Sequence, residues 1–232
     1  MAVEPVAEQL AFRLPARPAL GRSDFFISPA NASAVEMVTD DARWPQGKLA
    51  LIGPEGAGKS HLVRVWAGER DAVIAAGANL GGVDLSALAD RGRVAVEDVE
   101  AAMGDDAAER ALFHLHNLLQ GSGRLLLTGR SPPARWPIAL PDLRSRIQAM
   151  TVAALAPPDD ALLAAVLVKL FADRQITVTP ALVAYLVSRI DRSFAAAQDI
   201  VDRLDRAALS EGRAINRALA ARLLDIPAGG AA

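Results

Sequence analysis

Gly53-Pro54-Glu55-Gly56-Ala57-Gly58-Lys59-Ser60 decides the fold of this chain. Its spacing is G-x-x-x-x-G-K-S, the pattern of a phosphate-binding loop. Glycines let such a loop turn tightly and present backbone N–H groups to phosphate oxygens. The lysine adds a point charge for the terminal phosphates, and the serine hydroxyl suits Mg²⁺. The flanks agree with this reading. Lys48-Leu49-Ala50-Leu51-Ile52 is an apolar run with the character of a buried strand. Residues 59–70 have a helical pattern, and the helix N-terminus faces the same anion.

Working outward, short apolar runs alternate with helical patterns. Strands are expected at 48–52, 72–76, 93–98, 124–128 and 149–155, with a helix over 105–120. That alternation predicts an α/β domain with a parallel sheet covered on both faces. Val94-Ala95-Val96-Glu97-Asp98 is the apolar run that ends in two carboxylates. One of these is expected to help hold Mg²⁺ and the other to orient a water. Glu97, with Ser60, is therefore the expected metal pair.

After Ala156-Pro157-Pro158 the pattern turns wholly helical. Asp159 and Asp160 suit the first turn of a helix, where carboxylates meet the positive end of the dipole. Thr179-Pro180 reads as a cap followed by proline at the first helical position. Further helices are expected from Ser193 to Ser210, closed by Gly212, and over 215–224. The expected organisation is a tail over 1–22, a nucleotide-binding domain over 23–156, a helical lid over 157–226 and a disordered tail over 227–232.

Composition narrows the function. Of 232 residues, 52% are hydrophobic, so a large core is available; the net charge is −2. A dedicated DNA-binding domain usually carries a basic excess, and none is present. There is no cysteine, which excludes disulfides, thiolate metal sites and a cysteine nucleophile. No stretch is long and apolar enough to span a membrane, and the first residues lack a signal-peptide layout, so the expected location is the cytoplasm. His114 and His116 are two apart on a helix and face different sides, which argues against a metal pair.

Gly58-Lys59-Ser60-His61-Leu62, Val96-Glu97-Asp98-Val99-Glu100, Leu127-Thr128-Gly129 followed by prolines, and Leu140-Pro141-Asp142-Leu143-Arg144-Ser145-Arg146 occur in one order. The ordered set resembles the AAA+ ATPases related to the bacterial replication initiator DnaA, over about residues 23–225. The layout is similar to Hda-type regulators of DnaA, which lack the DNA-reading helix-turn-helix domain and begin with a short peptide that docks on the replicative sliding clamp. Gln9-Leu10-Ala11-Phe12-Arg13-Leu14 matches that peptide loosely, with Gln9, Leu10, Phe12 and Leu14 as its anchors.

The resemblance implies further roles. Arg146 falls on the family's arginine finger, which reaches the nucleotide of a neighbouring subunit, and Arg144 lies close by. Arg192 falls near the sensor arginine of the lid. Phe25, Phe26 and Asn31 match the segment that cradles adenine and orders the loop before the first strand. His61, beside the P-loop serine, matches a packing residue at the edge of the nucleotide site. Two positions depart from the pattern: Glu97 and Arg130 each stand where the family carries aspartate. Together these imply ADP or ATP with Mg²⁺ as ligands, weak hydrolysis by the chain itself, and DnaA and the clamp as partners, with a homodimer as a further option. The competing readings are an autonomous AAA+ ATPase, such as a helicase loader or remodelling motor, and a small-molecule kinase with a P-loop.

Overall fold

The computed structural model describes residues 26–225. Helix α1 (Ala32–Thr39) leads through two short 3₁₀ turns into strand β1 (Lys48–Ile52). Helix α2 (Lys59–Arg70), β2 (Val73–Ala76), α3 (Leu85–Asp90), β3 (Arg93–Glu97), α4 (Val99–Ala102), α5 (Asp106–Leu118), β4 (Arg124–Gly129), α6 (Pro141–Gln148) and β5 (Thr151–Ala154) follow. The five strands form one parallel sheet in the order β2-β3-β4-β1-β5. The α/β fold read from the sequence is the one observed.

Strand β1 pairs with β4 on one side, Lys48 against Leu125 through Ile52 against Gly129, and with β5 on the other. All five of its residues are buried, as expected of a parallel strand with helices on both faces. Alternate residues serve opposite faces. Ala50 and Ile52 join Val94, Val96, Leu125 and Leu127 against α5 and α6. Leu49 and Leu51 join Leu126 and Ala95 against α1 and α2, where Trp66 is fully buried. Strand β2 lies at the sheet edge, and its Ile74 is exposed.

Beyond β5 come α7 (Asp160–Ala172), α8 (Pro180–Val187), α9 (Phe194–Glu211) and α10 (Arg217–Asp225). They pack around an apolar cluster of their own, centred on Leu163, Leu167, Phe171 and Ile200. The side chains that start the first three are those marked in the sequence. Asp159 accepts from the Leu162 amide at 2.7 Å, Thr179 from Leu182 at 3.3 Å, and Ser193 from Ala196 at 3.0 Å. Gly212 closes α9 in the left-handed region, φ 61°.

Details differ from the sequence expectation. Strand β3 stops at Glu97, and Asp98 instead takes φ 52° as the residue before α4. The short helices α3, α4 and α6 and the opening α1 carry too few periodic residues to stand out. No helix among the described residues is long and apolar enough to cross a membrane.

Candidate nucleotide site

The loop Gly53–Ser60 joins β1 to α2, and its glycines are sterically required. A β-carbon on Gly53 would sit 2.6 Å from the Leu155 carbonyl oxygen. Gly58 has φ 97°, and a β-carbon there would lie 2.7 Å from the Phe194 ring. Ala57 packs in the core, while Pro54 and Glu55 are exposed.

Lys59 opens α2 with only 8% of its surface exposed. Its Nζ donates to the carbonyls of Gly53 at 2.7 Å and Pro54 at 2.9 Å. An ammonium has three protons, so one is left for a phosphate. Burial pulls the Lys59 pKa down; Asp98 opposes this, Arg130 adds to it, and Glu55 and Glu100 oppose it. Ser60 and His61 lie half-buried in the first turn of α2.

At the end of β3, Glu97 Oε1 is buried without a hydrogen-bond partner. A buried carboxylate oxygen in that condition calls for a cation or a water. Val96 is level with Leu127, and Leu127 with Ala50, so Glu97 is one register step further along, toward the end of the sheet where β1 enters the P-loop. Asp98 is exposed, and its amide donates to Thr128 Oγ1 at 3.0 Å. Thr128, 1% exposed, is the residue that locks the two strand ends together. Its place in Leu127-Thr128-Gly129 was visible in the sequence, but its bond was not. Among the described residues no three His, Asp or Glu side chains cluster as a metal site. Mg²⁺ does not require one, since it usually takes one or two protein oxygens together with phosphates and waters.

Glu100, on α4, accepts from the amides just beyond β4, Arg130 at 2.7 Å and Ser131 at 2.9 Å, and from the Ser131 hydroxyl at 2.8 Å. Burial would raise its pKa, but these donors outweigh it, so the carboxylate is held below the usual range. The Arg130 guanidinium reaches the P-loop itself, Nη2 lying 3.0 Å from Glu55 Oε2.

The helical region meets the loop at the start of α9. The Phe194 amide donates to the Gly56 carbonyl at 2.8 Å. Ser193 and Ala195 approach Gly56 from the same side. Arg192 pairs with Asp160 at 2.9 Å, and both side chains are more than half exposed. The residues of this region that meet the loop are Ser193, Phe194 and Ala195.

Arg146, on α6, lies elsewhere. Its guanidinium stacks 4.7 Å from the Phe113 ring centroid and donates to Asn117 Oδ1 on α5. His116 beside it is pushed down to about 4 by burial, then by Lys48 and Arg146. Lys48, the first residue of β1, donates to the Leu119 carbonyl at the end of α5, the helix that also carries His116 and Asn117, and the P-loop follows the last residue of β1, so Arg146 is near the opposite end of the sheet from its own loop. Arg144 is exposed.

Asn31, 4% exposed, ties the segment before α1: its Nδ2 donates to the Phe26 carbonyl at 2.9 Å and its Oδ1 accepts from Ser28 at 2.8 Å. Phe26 itself is partly exposed. Phe25 and the candidate clamp anchors Gln9, Leu10, Phe12 and Leu14 lie outside the described residues.

This architecture has solved counterparts. Domain III of the replication initiation protein DnaA from Thermotoga maritima superposes with a TM-score of 0.74 at 18% identity, covering 91% of this chain and 98% of that one. The chain has the fold of DnaA domain III. AMPPCP-bound DnaA from Aquifex aeolicus matches with a TM-score of 0.70 at 15% identity, over 85% of this chain and 68% of that one. A RuvB variant from Thermotoga maritima matches with a TM-score of 0.60 at 16% identity, over 83% and 65%. No family model matches the sequence.

Proposed function

We propose that this chain is a nucleotide-binding AAA+ regulator of DNA replication initiation, of the Hda type. It holds ADP or ATP, docks on the sliding clamp and stimulates ATP hydrolysis by DnaA. The observation that carries the nucleotide reading is Lys59, buried at the mouth of a glycine loop with one proton to spare, in a fold shared with DnaA bound to AMPPCP. In this reading residues 23–156 are the nucleotide domain and 157–226 its lid. Ser60 and Glu97 take Mg²⁺ with the phosphates. Bound there, Mg²⁺ neutralises charge on the terminal phosphate oxygens.

Action on a partner is supported by the placement of Arg146. A strand rises about 3.3 Å per residue, so the length of β1 puts roughly 15 Å between Arg146's neighbourhood and the chain's own loop. A guanidinium there serves a second subunit's phosphate better than its own. The alternative reading, an autonomous ATPase such as a helicase loader, draws on the same P-loop and on the likeness to RuvB.

The test is to measure ATP hydrolysis by DnaA with and without this protein and a DNA-loaded clamp. Stimulation that needs the clamp, and is lost when Gln9, Leu10 and Phe12 are replaced by alanine, supports the regulator. Turnover by the chain alone, indifferent to DnaA, overturns it in favour of the motor.

A further inference from the structure

On the outside of the helical region two arginines share one aromatic ring. Leu182, Val183 and Leu186 turn one side of α8 into the apolar cluster, and Leu219 and Ala220 do the same for α10. Tyr185 is half-buried on α8. The guanidinium carbon of Arg189, one turn further on, is 4.1 Å from its ring centroid, and that of Arg217, the first residue of α10, is 4.7 Å from it. The two charges are thus no further apart than those distances laid end to end. Both arginines are exposed, and so is Arg213 in the turn before α10.

Their lack of carboxylate partners sets them apart. Elsewhere in the helical region Arg174 pairs with Asp202, Arg192 with Asp160, Arg203 with Asp199 and Arg222 with Glu211. Among the described residues no carboxylate lies within ion-pair range of Arg189, Arg213 or Arg217. Like charges held side by side repel, and stacking on an exposed ring offsets this only in part. One such stack would be enough to brace α10 against α8. A second makes a pair of forked donors facing solvent, and paired guanidiniums match phosphate oxygens. The chain as a whole carries a net charge of −2, so the attraction is local to this face.

We propose that Arg189 and Arg217, set by Tyr185 and joined by Arg213, form a sequence-independent contact for the phosphate backbone of duplex DNA. The choice of DNA rests on the clamp reading above, in which the chain is held on a clamp that carries a duplex. Alone, such a contact belongs at the weak end of non-specific binding, with a Kd on the order of 10⁻⁴ M. Tethered at an effective concentration of about 1 mM, it tightens docking about tenfold. The helical region thereby takes a share in choosing DNA-loaded clamps over free ones.

The experiment measures binding of the full chain to bare clamp, to clamp loaded on a duplex, and to the duplex alone at low salt. It compares the wild type with the double variant Arg189→Gln, Arg217→Gln and with the corresponding lysine pair. The wild type is expected to bind the loaded clamp about tenfold more tightly than the bare one. The glutamine pair loses that gain, keeps its affinity for bare clamp, and lowers the salt slope for the duplex alone by about two, one for each phosphate contact. The lysine pair keeps the charge without the fork and recovers most of the slope. A pair that merely braces the helices would leave the slope unchanged, and that result overturns the inference. So does a glutamine pair that loses bare-clamp binding while duplex binding stands, because the patch then faces an acidic protein surface. A wild-type chain that ignores bare clamp sinks the clamp reading, and the salt slope on the duplex alone then decides the patch by itself.

Discussion

The backbone amide of Phe194, the first residue of α9, donates to the carbonyl of Gly56 in the middle of the P-loop. The helical region is therefore bonded to the phosphate loop by main chain, and the Phe194 ring covers Gly58. Phe194→Pro tests this link, removing the amide bond and the ring contact together. Proline is tolerated at the first helical position, and Ser193 before it is already extended (φ −145°, ψ 150°), as proline requires. Hydrogen exchange is expected to rise at residues 53–58 while the interior of α7–α10 keeps its protection. Unchanged exchange in the loop would show that something else holds it.

Lys59→Ala removes the charge at the loop and the two bonds from Nζ to Gly53 and Pro54. Affinity for a fluorescent ADP analogue is expected to fall by about a hundredfold, a loss of the size of one or two charge-assisted contacts. Wild-type affinity in the variant would remove the phosphate site from this loop.

Arg146→Ala separates action in trans from action in cis. ADP and clamp binding should stay near wild type, while stimulation of DnaA hydrolysis drops by on the order of 10³, the lower end for a finger supplied in trans. Asn117→Ala should leave stimulation intact, since Asn117 engages only Nη1 and the guanidinium has further donors for a partner. Arg144→Ala should do less than Arg146→Ala. Full stimulation by Arg146→Ala assigns the finger elsewhere.

Glu109 carries a structural prediction. It is 2% exposed, and its carboxylate accepts from the amides of Gly104 at 2.9 Å, Ala139 at 2.8 Å and Leu140 at 2.7 Å. Burial raises its pKa, but the three donors, led by Ala139, lower it further, so the net shift is downward. A depressed folded pKa gives stability that is fully present above the ordinary value of 4.5 and is lost as pH falls through the folded value. Glu109→Gln should cost about 2–3 kcal/mol at neutral pH and flatten the acid limb of the stability curve. Urea unfolding at pH 7 and in the acid range checks both; parallel curves for mutant and wild type would contradict the assignment.

The strands were legible because β1, β3 and β4 are continuous apolar runs, buried on both faces, and the P-loop fixed where β1 ends. The helix starts at Asp159, Thr179 and Ser193 were legible because a cap acts on amides two or three residues away. Long-range partners were not. Nothing local tells Arg192 that Asp160 lies within 2.9 Å, or Arg130 that Glu55 lies within 3.0 Å. Glu109 sat on an evidently amphipathic helix, where a glutamate reads as surface; two of its three amides, Ala139 and Leu140, come from a distant loop that only the fold brings near.

The central place of β1 also bears on how the chain reaches this state. β1 is an early strand, yet both of its partners, β4 and β5, come much later in sequence. During synthesis it must wait, apolar and unpaired, until those segments emerge. The four C-terminal helices have no such wait, because their cluster closes within one contiguous stretch. Non-local closure is slow and local closure is fast. The loop between β1 and α2 is accordingly finished late: the Leu155 amide that bonds the Ile52 carbonyl, and the Leu155 backbone that lies against Gly53, arrive only after most of the chain has been made.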